Sequence, residues 1–351
     1  MTVPKRVRVL VVDDSAFARK VMREVLEADP RMDVVAIARD GLDALEKIVE
    51  LAPDVVTLDL VMPQLDGVGV LDAIRSLPSP PRVVVVTMSD ADSALGVAAL
   101  QAGAFDVVHK PTAIATDRLY ELAGELVEKV LLAAQAPAGA RAAHVDARGT
   151  PIPHVVVPAH AKLTTKMVLV GASTGGPRAI TQLLRALPGD FPAPVGVVVH
   201  MPPGYTEAFA GRLDRECALQ VVEAKEGTVL RAGVVVIARA GVHMKVRKAN
   251  EGWTVALDVR PLDSLHRPSV DALFESGARE VGRELLGVVL TGMGSDGLQG
   301  ARAIRAAGGR VIVEDASTCV VYGMPRAIAE QGLAEAEVRL PDMAEAIIAR
   351  L

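Results

Sequence analysis

The feature that most constrains the fold is an alternation between short apolar runs and longer segments with helical spacing. It begins near residue 6 and continues to about residue 132 of the 351-residue chain. Short apolar runs that are each followed by a helical segment are typical of an α/β domain with a doubly wound, mainly parallel sheet. The strands predicted in this first series are residues 7–12, 32–38, 55–58, 83–87 and 106–109.

A second series of the same kind starts at Met167, after a stretch of different composition. Residues 133–164 are rich in Ala, Pro and Gly and show little periodicity, which is typical of a linker. We therefore predict one α/β domain over residues 1–132, a linker over 133–164 and a second α/β domain over 165–351. In the second domain we predict strands at 167–170, 195–200, 234–238, 286–290 and 310–313, helices at 177–187, 205–217, 268–281, 295–307 and 341–351, and a hairpin within 241–259.

Composition excludes several classes of function. The net charge of −5 and the lack of a Lys/Arg run argue against nucleic acid as a partner. Two cysteines, Cys217 and Cys319, give little scope for disulfides, which fits a reducing compartment. The apolar run near the N-terminus ends in two aspartates without a cleavage site, and no apolar stretch has the length of a membrane span. We expect a cytoplasmic protein and, as the simplest case, a monomer.

Polar side chains follow four predicted strands of the first domain. Asp13 and Asp14 follow the first strand, Asp59 follows the third, Thr87 ends the fourth and Lys110 follows the fifth. Ligands of parallel sheets bind beyond the carboxyl ends of the strands, so these groups should converge at one edge. Clustered carboxylates repel one another unless a cation lies among them, and Mg²⁺ prefers oxygen ligands. The cluster therefore predicts a magnesium site at which a carboxylate accepts a phosphoryl group.

This constellation resembles the response-regulator receiver domain, a flavodoxin-like fold, over about residues 6–131. The resemblance implies that Asp59 accepts phosphate from a histidine kinase. Ser89 is an alternative to Thr87 as the hydroxyl that senses the phosphoryl group, and the position at the strand end favours Thr87. The other roles that the resemblance implies are Mg²⁺ binding by Asp13, Asp14, Asp59 and the backbone carbonyl of Val61, and phosphate sensing by Thr87, Lys110 and Phe105.

In the second domain, the stretch "LVGASTGGPRAI" runs from a predicted strand into a predicted helix. It fails as a P-loop because Pro177 and Arg178 stand where the lysine and hydroxyl residues belong. It fails as a dinucleotide loop because Ser173 replaces the middle glycine. Anion binding by backbone amides alone stays open. "GASTG" matches the G-x-S-x-G turn between strand and helix, which presents a serine nucleophile.

A serine alcohol needs a base, and the base needs an acid to orient it. Of the seven histidines, four lie in the linker or in the first domain, which leaves His200, His243 and His266. His200 ends the strand that follows the Ser173 helix, and neighbouring parallel strands end at the same edge. His243 and His266 are left as possible residues on the substrate side. The acid is predicted to be Asp296, in the glycine-rich turn "GVVLTGMGSDG", where the Met293 amide could donate to an oxyanion.

The second domain resembles the catalytic domain of the chemotaxis protein-glutamate methylesterases. The stretches "GASTGGP", "VVVHMPPGYTEAFAGRLD", "LHRPSVDALF" and "GVVLTGMGSDG" carry the resemblance over about residues 166–350. It implies a Rossmann-like domain with a small hairpin insertion, with Ser173 as nucleophile, His200 as base and acid, Asp296 as the residue that orients His200, and Met293 as oxyanion donor.

That resemblance implies a phosphorylation-activated esterase without a cofactor of its own. Its substrates would be glutamate methyl esters on methyl-accepting chemoreceptors, with methanol released, and it would also deamidate receptor glutamines. Two alternatives are kept. One is a receiver joined to a non-catalytic adaptor or output module, and the other is the same chemistry on a receptor array outside chemotaxis.

Overall fold

The structure is a computed structural model that describes residues 6–87, 93–110, 116–136 and 165–351. These residues form two compact units, each built on a parallel sheet. Among the described residues, none of the helices combines the length and the apolar character needed to cross a bilayer. Most of the predicted linker, residues 137–164, lies outside the described residues, so the domain boundaries stay predictions.

The first unit has a five-stranded sheet in the order β2-β1-β3-β4-β5, with every neighbouring pair parallel. Its inner strands are mostly apolar and largely buried, as expected for strands covered on both faces. The strands are β1 (Val7–Val12), β2 (Met32–Ala38), β3 (Val55–Leu58), β4 (Arg82–Thr87) and β5 (Asp106–His109). The helices are α1 (Ala16–Glu27), α2 (Gly41–Leu51), α3 (Gly67–Ile74), α4 (Ser93–Ala102) and α5 (Thr116–Gln135).

Helix α5 continues into the region predicted as linker. Ala133, Ala134 and Gln135 are strong helix formers, and the helix ends two residues before Pro137, whose ring disfavours helical backbone at the preceding residue. The helix therefore extends three residues beyond the predicted start of the linker at residue 133.

The second sheet has seven parallel strands in the order β15-β14-β13-β6-β7-β10-β8, and a separate three-stranded antiparallel sheet has the order β11-β12-β9. Its strands are β6 (Met167–Ala172), β7 (Val195–Val199), β8 (Gln220–Glu223), β10 (Val234–Ile237), β13 (Leu285–Val289), β14 (Arg310–Glu314) and β15 (Ala336–Val338). The antiparallel sheet consists of β9 (Val229–Leu230), β11 (His243–Lys248) and β12 (Trp253–Asp258). The prediction of two mainly parallel α/β domains with a hairpin insertion is confirmed.

The helices that follow β6 in the chain are α6 (Gly176–Ala186), α7 (Tyr205–Glu216), α8 (Val270–Val281), α9 (Leu298–Ala306), α10 (Met324–Ala329) and α11 (Met343–Ile348). A core of buried side chains, including Leu169, Leu273, Phe274 and Val289, packs on one face of the central strands. Because β6 is central in the sheet, the loop that follows it lies between the loops after β7 and β13.

Several element boundaries differ from those predicted. Helix α8 begins at Val270 rather than at residue 268, because Ser269 caps it by accepting a hydrogen bond from the Ala272 amide. Helix α9 begins at Leu298 rather than at 295, because Gly297 has a φ of 96° and ends the preceding turn. Short elements at the edges, β8, β9, β15 and α10, were not predicted.

Candidate functional site

The first candidate site lies at the carboxyl edge of the five-stranded sheet. Asp13 and Asp59 follow the neighbouring strands β1 and β3, and both carboxyl groups are buried. Lys110, after β5, is buried with them; its Nζ lies 2.8 Å from Asp59 Oδ2 and also forms an ion pair with Asp13. Thr87 is fully buried at the end of β4, and its carbonyl accepts a hydrogen bond from the Lys110 amide. The groups predicted to converge here do lie together.

The donor set of this edge fits a divalent cation. One carboxylate oxygen from each of Asp13, Asp14 and Asp59 lies within 4.8 Å of the others. Three ionised carboxylates against the single charge of Lys110 leave an excess negative charge, and all three donors are the hard oxygens that Mg²⁺ prefers. Burial raises the pKa of Asp59, partly offset by Lys110. A cation would lower the cost of keeping this buried carboxylate ionised.

The remaining residues predicted for this site divide into three groups. Val61 lies two residues beyond Asp59 in the loop after β3, and the role of its carbonyl stays a prediction. Ser89 lies outside the described residues. Phe105 precedes β5 and its amide donates to the carbonyl of Val83, whereas Lys110 follows the other end of that strand. The role of Phe105 in phosphate sensing stays a prediction.

The second candidate site is centred on Ser173, which directly follows β6. The chain turns sharply here: Gly175 has a φ of 78°, and α6 begins at Gly176 with Pro177 in its first turn. The neighbouring loop approaches closely, because a Cβ atom at Gly292 would lie 2.9 Å from the Cβ of Ser173. Only a glycine at position 292 lets the two loops come this near. Ser173 itself is partly exposed at the start of a helix whose dipole favours negative charge.

His200 lies beside Ser173 because β6 and β7 are paired in parallel. Ala172 is in register with Val199, and the His200 amide donates to the Ala172 carbonyl at 3.2 Å. Neighbouring strands lie about 4.8 Å apart, so the residues that follow this pair, Ser173 and His200, leave the sheet next to each other.

Asp296 meets His200 from the loop after β13. The imidazole Nε2 lies 2.8 Å from Asp296 Oδ2, and both side chains are about nine-tenths buried. The carboxylate also accepts from the Ser269 hydroxyl and from the amides of Val270 and Asp271 at the start of α8. Burial acts to raise the pKa of Asp296, but His200 and these backbone donors outweigh it and hold the pKa well below its usual range. An ionised Asp296 fixes the Nε2–H tautomer of a neutral His200.

The other imidazole nitrogen of His200, Nδ1, is buried and has no hydrogen-bond partner in the part of the chain that the structure describes. It is therefore the nitrogen left to act as a base. The Ser173 hydroxyl does not hydrogen-bond to it in this structure; such bonds often form only when substrate is present.

Met293 follows Gly292 in the loop after β13, and its amide N–H has no acceptor among the described residues. Gly292 holds the loop in place: its amide donates to Val321, and its carbonyl accepts from the amides of Gly323 and Met324. An N–H that is fixed and unpaired near a nucleophile is what an oxyanion hole requires.

The structure shows where His243 and His266 lie, the two histidines whose roles the sequence left undecided. His266 stacks on His200, with ring centroids 4.0 Å apart and an angle of 21° between the ring planes. His243 is fully buried, accepts from the Ser269 amide through Nδ1 and contacts the Pro261 carbonyl through Nε2. Burial lowers its pKa, so it supports the start of α8 as a neutral side chain.

Sequence reasoning did not find Ser269, Thr291 or Glu314 as residues of this site. Ser269 lies in the stretch "LHRPSVDALF". The length of this stretch was a signal that it holds further site residues besides His266. Glu314 ends an apolar strand, a position that in the sequence looks like an ordinary exposed acid; it is fully buried.

Comparisons with known proteins agree with this geometry. The CheB methylesterase family matches residues 168–347, and the response regulator receiver domain matches residues 9–122. A protein-glutamate methylesterase/protein-glutamine glutaminase of Myxococcus xanthus is 56% identical over 98% of this chain and 97% of its own length. A protein of the same name from Symbiobacterium thermophilum is 45% identical over the same shares of the two chains.

Among solved structures, the catalytic domain of the CheB methylesterase of Thermotoga maritima aligns with a TM-score of 0.52 and 39% identity. The alignment covers 54% of this chain and the whole of that domain. The chain therefore belongs to the CheB methylesterase family and carries a response regulator receiver domain ahead of its methylesterase domain.

Proposed function

We propose that this protein is a serine esterase that hydrolyses glutamate methyl esters on methyl-accepting chemoreceptors and deamidates receptor glutamines, under control of phosphorylation at Asp59. The observation that carries the esterase is the 2.8 Å hydrogen bond between His200 and Asp296, next to Ser173 across the β6–β7 pair. The relatives named above support the choice of glutamyl ester and glutamine as substrates.

In the proposed first half-reaction, Ser173 Oγ attacks the ester carbonyl as His200 Nδ1 accepts its proton. Asp296 stabilises the imidazolium through Nε2–H, and the Met293 amide donates to the oxyanion, aided by the dipole of α6. The tetrahedral intermediate then collapses. The bond from carbon to the methoxy oxygen breaks, the leaving oxygen takes the proton from Nδ1, and methanol departs from an acyl-serine.

In the second half-reaction, water gives a proton to His200 Nδ1 and attacks the acyl carbon. The bond to Ser173 Oγ breaks, the serine regains its proton, and the product is a glutamate side chain. With a glutamine substrate the same steps release ammonia instead of methanol. None of these steps requires a metal or an organic cofactor.

At the receiver, we propose that the Asp59 carboxylate attacks the phosphohistidine of a histidine kinase. An O–P bond forms at Asp59 while the P–N bond to the kinase breaks. Mg²⁺, when bound by Asp13, Asp14, Asp59 and the Val61 carbonyl, supplies positive charge to the phosphoryl oxygens. Lys110 exchanges its ion pair with Asp59 for one with the phosphoryl group, and the Thr87 hydroxyl hydrogen-bonds to that group.

The proposed setting is the cytoplasm, where the kinase and the receptor side chains would meet the protein. We propose a monomer that does not bind nucleic acid, in line with the net charge of −5.

The test is methanol release from methylated chemoreceptors, measured with and without a small phosphodonor. We expect Ser173→Ala to abolish release, whereas Ser76→Ala, an exposed serine in the first unit, should release methanol like wild type. Asp59→Asn should keep basal release and lose stimulation, and Asp72→Asn, an exposed aspartate, should retain both. Methanol release by Ser173→Ala would contradict the esterase proposal; stimulation of Asp59→Asn would contradict only the control by phosphorylation.

A further inference from the structure

A buried carboxyl group that the proposed mechanism does not use lies behind the nucleophile loop. Glu314 is the last residue of β14 and is fully buried. Its Oε2 accepts a hydrogen bond from the Thr291 amide at 2.8 Å, while Oε1 has no hydrogen-bond partner among the described residues. Nor does Glu314 form an ion pair within the described part of the chain. A buried carboxylate with one hydrogen bond and no cation would be costly, which favours the neutral acid.

Thr291, the residue that Glu314 holds, is hydrogen-bonded to the nucleophile loop at two points. Its carbonyl accepts from the Ser173 amide at 3.1 Å, and its hydroxyl lies 3.0 Å from the carbonyl of Thr174. The same hydroxyl accepts from the Val321 amide at 2.9 Å. Thr291 therefore ties the residue that carries the nucleophile to the loops after β13 and β14.

Thr291 is also two residues from the proposed oxyanion donor. Gly292, between them, donates to the Val321 carbonyl at 3.0 Å, and its own carbonyl accepts from Met324 at 2.8 Å. The Ser173 amide is thus hydrogen-bonded to Thr291, and the Met293 amide lies two residues after Thr291 in the same loop. A shift of Thr291 would change the distance between nucleophile and oxyanion donor, on which the rate of acyl transfer depends.

We propose that Glu314, in its neutral acid form and through Thr291, is a positioning residue that sets the separation of Ser173 from the Met293 amide. This inference rests on the proposed function for its reaction. Burial raises the pKa of Glu314 to about 7, which agrees with the neutral form. Asp315 raises the pKa further, whereas the Thr291 amide and the side chains of Thr318 and Cys319 lower it without outweighing burial. The Cys319 thiol, which contacts the Glu314 carbonyl oxygen, is itself buried and has a raised pKa.

The first test compares two substitutions of Glu314 in the full chain with phosphodonor present. Glu314→Gln keeps the shape and the oxygen that accepts from Thr291, so we expect kcat within about twofold of wild type. Glu314→Leu removes the acceptor, and we expect kcat to fall about tenfold or more while KM stays within about twofold. As a control, Glu330→Leu changes an exposed glutamate directly after α10 and should be indistinguishable from wild type.

A second pair covers the case in which Glu314→Leu does not fold, as judged by its thermal unfolding. Thr291→Ser retains the hydroxyl and should keep most of kcat, whereas Thr291→Val should lose about tenfold, again without a change in KM. The labelling rate of Ser173 by a fluorophosphonate, which needs both nucleophile and oxyanion donor but no receptor, should follow the same order in all four variants.

The outcomes separate this inference from the proposed function. If wild type labels but releases no methanol, the substrate is wrong, and the order of labelling rates still decides the role of Glu314. A Glu314→Gln variant as impaired as Glu314→Leu would contradict the neutral form. Wild-type kcat and labelling in both Glu314→Leu and Thr291→Val, or a rise in KM alone, would overturn the positioning role. A wild type that fails to label at all would contradict both.

Discussion

At the scale of single residues, Asp296 accepts four hydrogen bonds, and only the one from His200 bears on the chemistry. The other three come from Ser269 and from the first amides of α8, so they fix the carboxylate to a helix end. This arrangement makes Asp296 a rigid acceptor, and it predicts different results for the loss of the charge and for the loss of one supporting bond.

Asp296→Asn should lower kcat by about 10³- to 10⁴-fold, because an amide at this position no longer fixes the Nε2–H tautomer or stabilises the imidazolium. Ser269→Ala removes one of the supporting bonds and should cost less than about tenfold. Steady-state methanol release measures both variants. Equal losses in the two would show that Asp296 acts only as part of the helix start.

The pH dependence of stability provides a second prediction at this scale. The pKa of Glu314 rises from 4.5 to about 7 on folding, so the folded state holds its proton more tightly than the unfolded state does. Stability from this group is complete below about pH 4.5 and is lost as pH rises through about 7, a change on the order of 3 kcal/mol.

The Gln side chain of Glu314→Gln cannot titrate. The unfolding temperature of this variant minus that of wild type, both measured by calorimetry, should therefore increase from pH 5 to pH 8. The change with pH is the readout, because the two side chains can differ by a constant amount. Parallel curves for the two proteins across this range would rule out a neutral Glu314.

At the scale of elements, the close approach of the loops after β6 and β13 depends on Gly292. A Cβ atom there would lie 2.4 Å from the Met324 sulfur and 2.9 Å from the Cβ of Ser173. The loop must move to accept it, and the Met293 amide moves with the loop. The position therefore links packing directly to the proposed oxyanion donor.

Gly292→Ala should lower kcat by at least about tenfold and stability by about 1–3 kcal/mol, the usual cost of overpacking. Methanol release and thermal unfolding test the two effects separately. The matched control is Gly211→Ala in α7, where the nearest atom is a flexible arginine nitrogen at 3.9 Å. If Gly292→Ala behaves like that control, the loops have more room than their contacts indicate.

Much of the element pattern could be predicted because most strands are short, mainly apolar runs that alternate with segments of helical spacing. Strands β1, β2, β3 and β5 have the predicted bounds. The edge strands β8 and β15 could not be found, since they are short and half-exposed and lack an apolar pattern. Helix starts shifted where a cap or a glycine turn, at Ser269 and at Gly297, overrides apolar spacing.

The meeting of Ser173, His200 and Asp296 could likewise be predicted from strand ends alone. Which imidazole nitrogen faces Asp296 could not, because it depends on side-chain rotation rather than on strand order. The role of Glu314 was hidden for a similar reason: burial of a strand's last residue depends on the loops that cover it.

At the scale of the whole molecule, two chemistries with different requirements are joined in one chain. The receiver edge has three clustered carboxylates that fit a divalent cation, whereas the steps proposed for the esterase site use no metal. The two activities should therefore separate when divalent cations are removed.

A chelator should abolish stimulation by a small phosphodonor and leave basal methanol release within about twofold of its starting rate, since Asp13, Asp14 and Asp59 would lose their cation. Added Mg²⁺ should restore stimulation, and Asp59→Asn should show no response to either treatment. Loss of basal release on chelation would mean that the esterase site itself depends on a metal.

The proposed use of His200 Nδ1 as the base has a consequence for how the activity of this enzyme can be adjusted. Nδ1 is bonded to Cγ, the ring carbon attached to Cβ, so it lies closer to the main chain than Nε2 does. Its position therefore depends more directly on the position of the His200 main chain. The His200 amide donates a backbone hydrogen bond to the carbonyl of Ala172, the residue before the proposed nucleophile Ser173. The main chains of Ser173 and His200 therefore leave the paired strands β6 and β7 at the same level. A displacement of one strand along the other would move the proposed base away from the proposed nucleophile and slow acyl transfer, although both side chains would be intact.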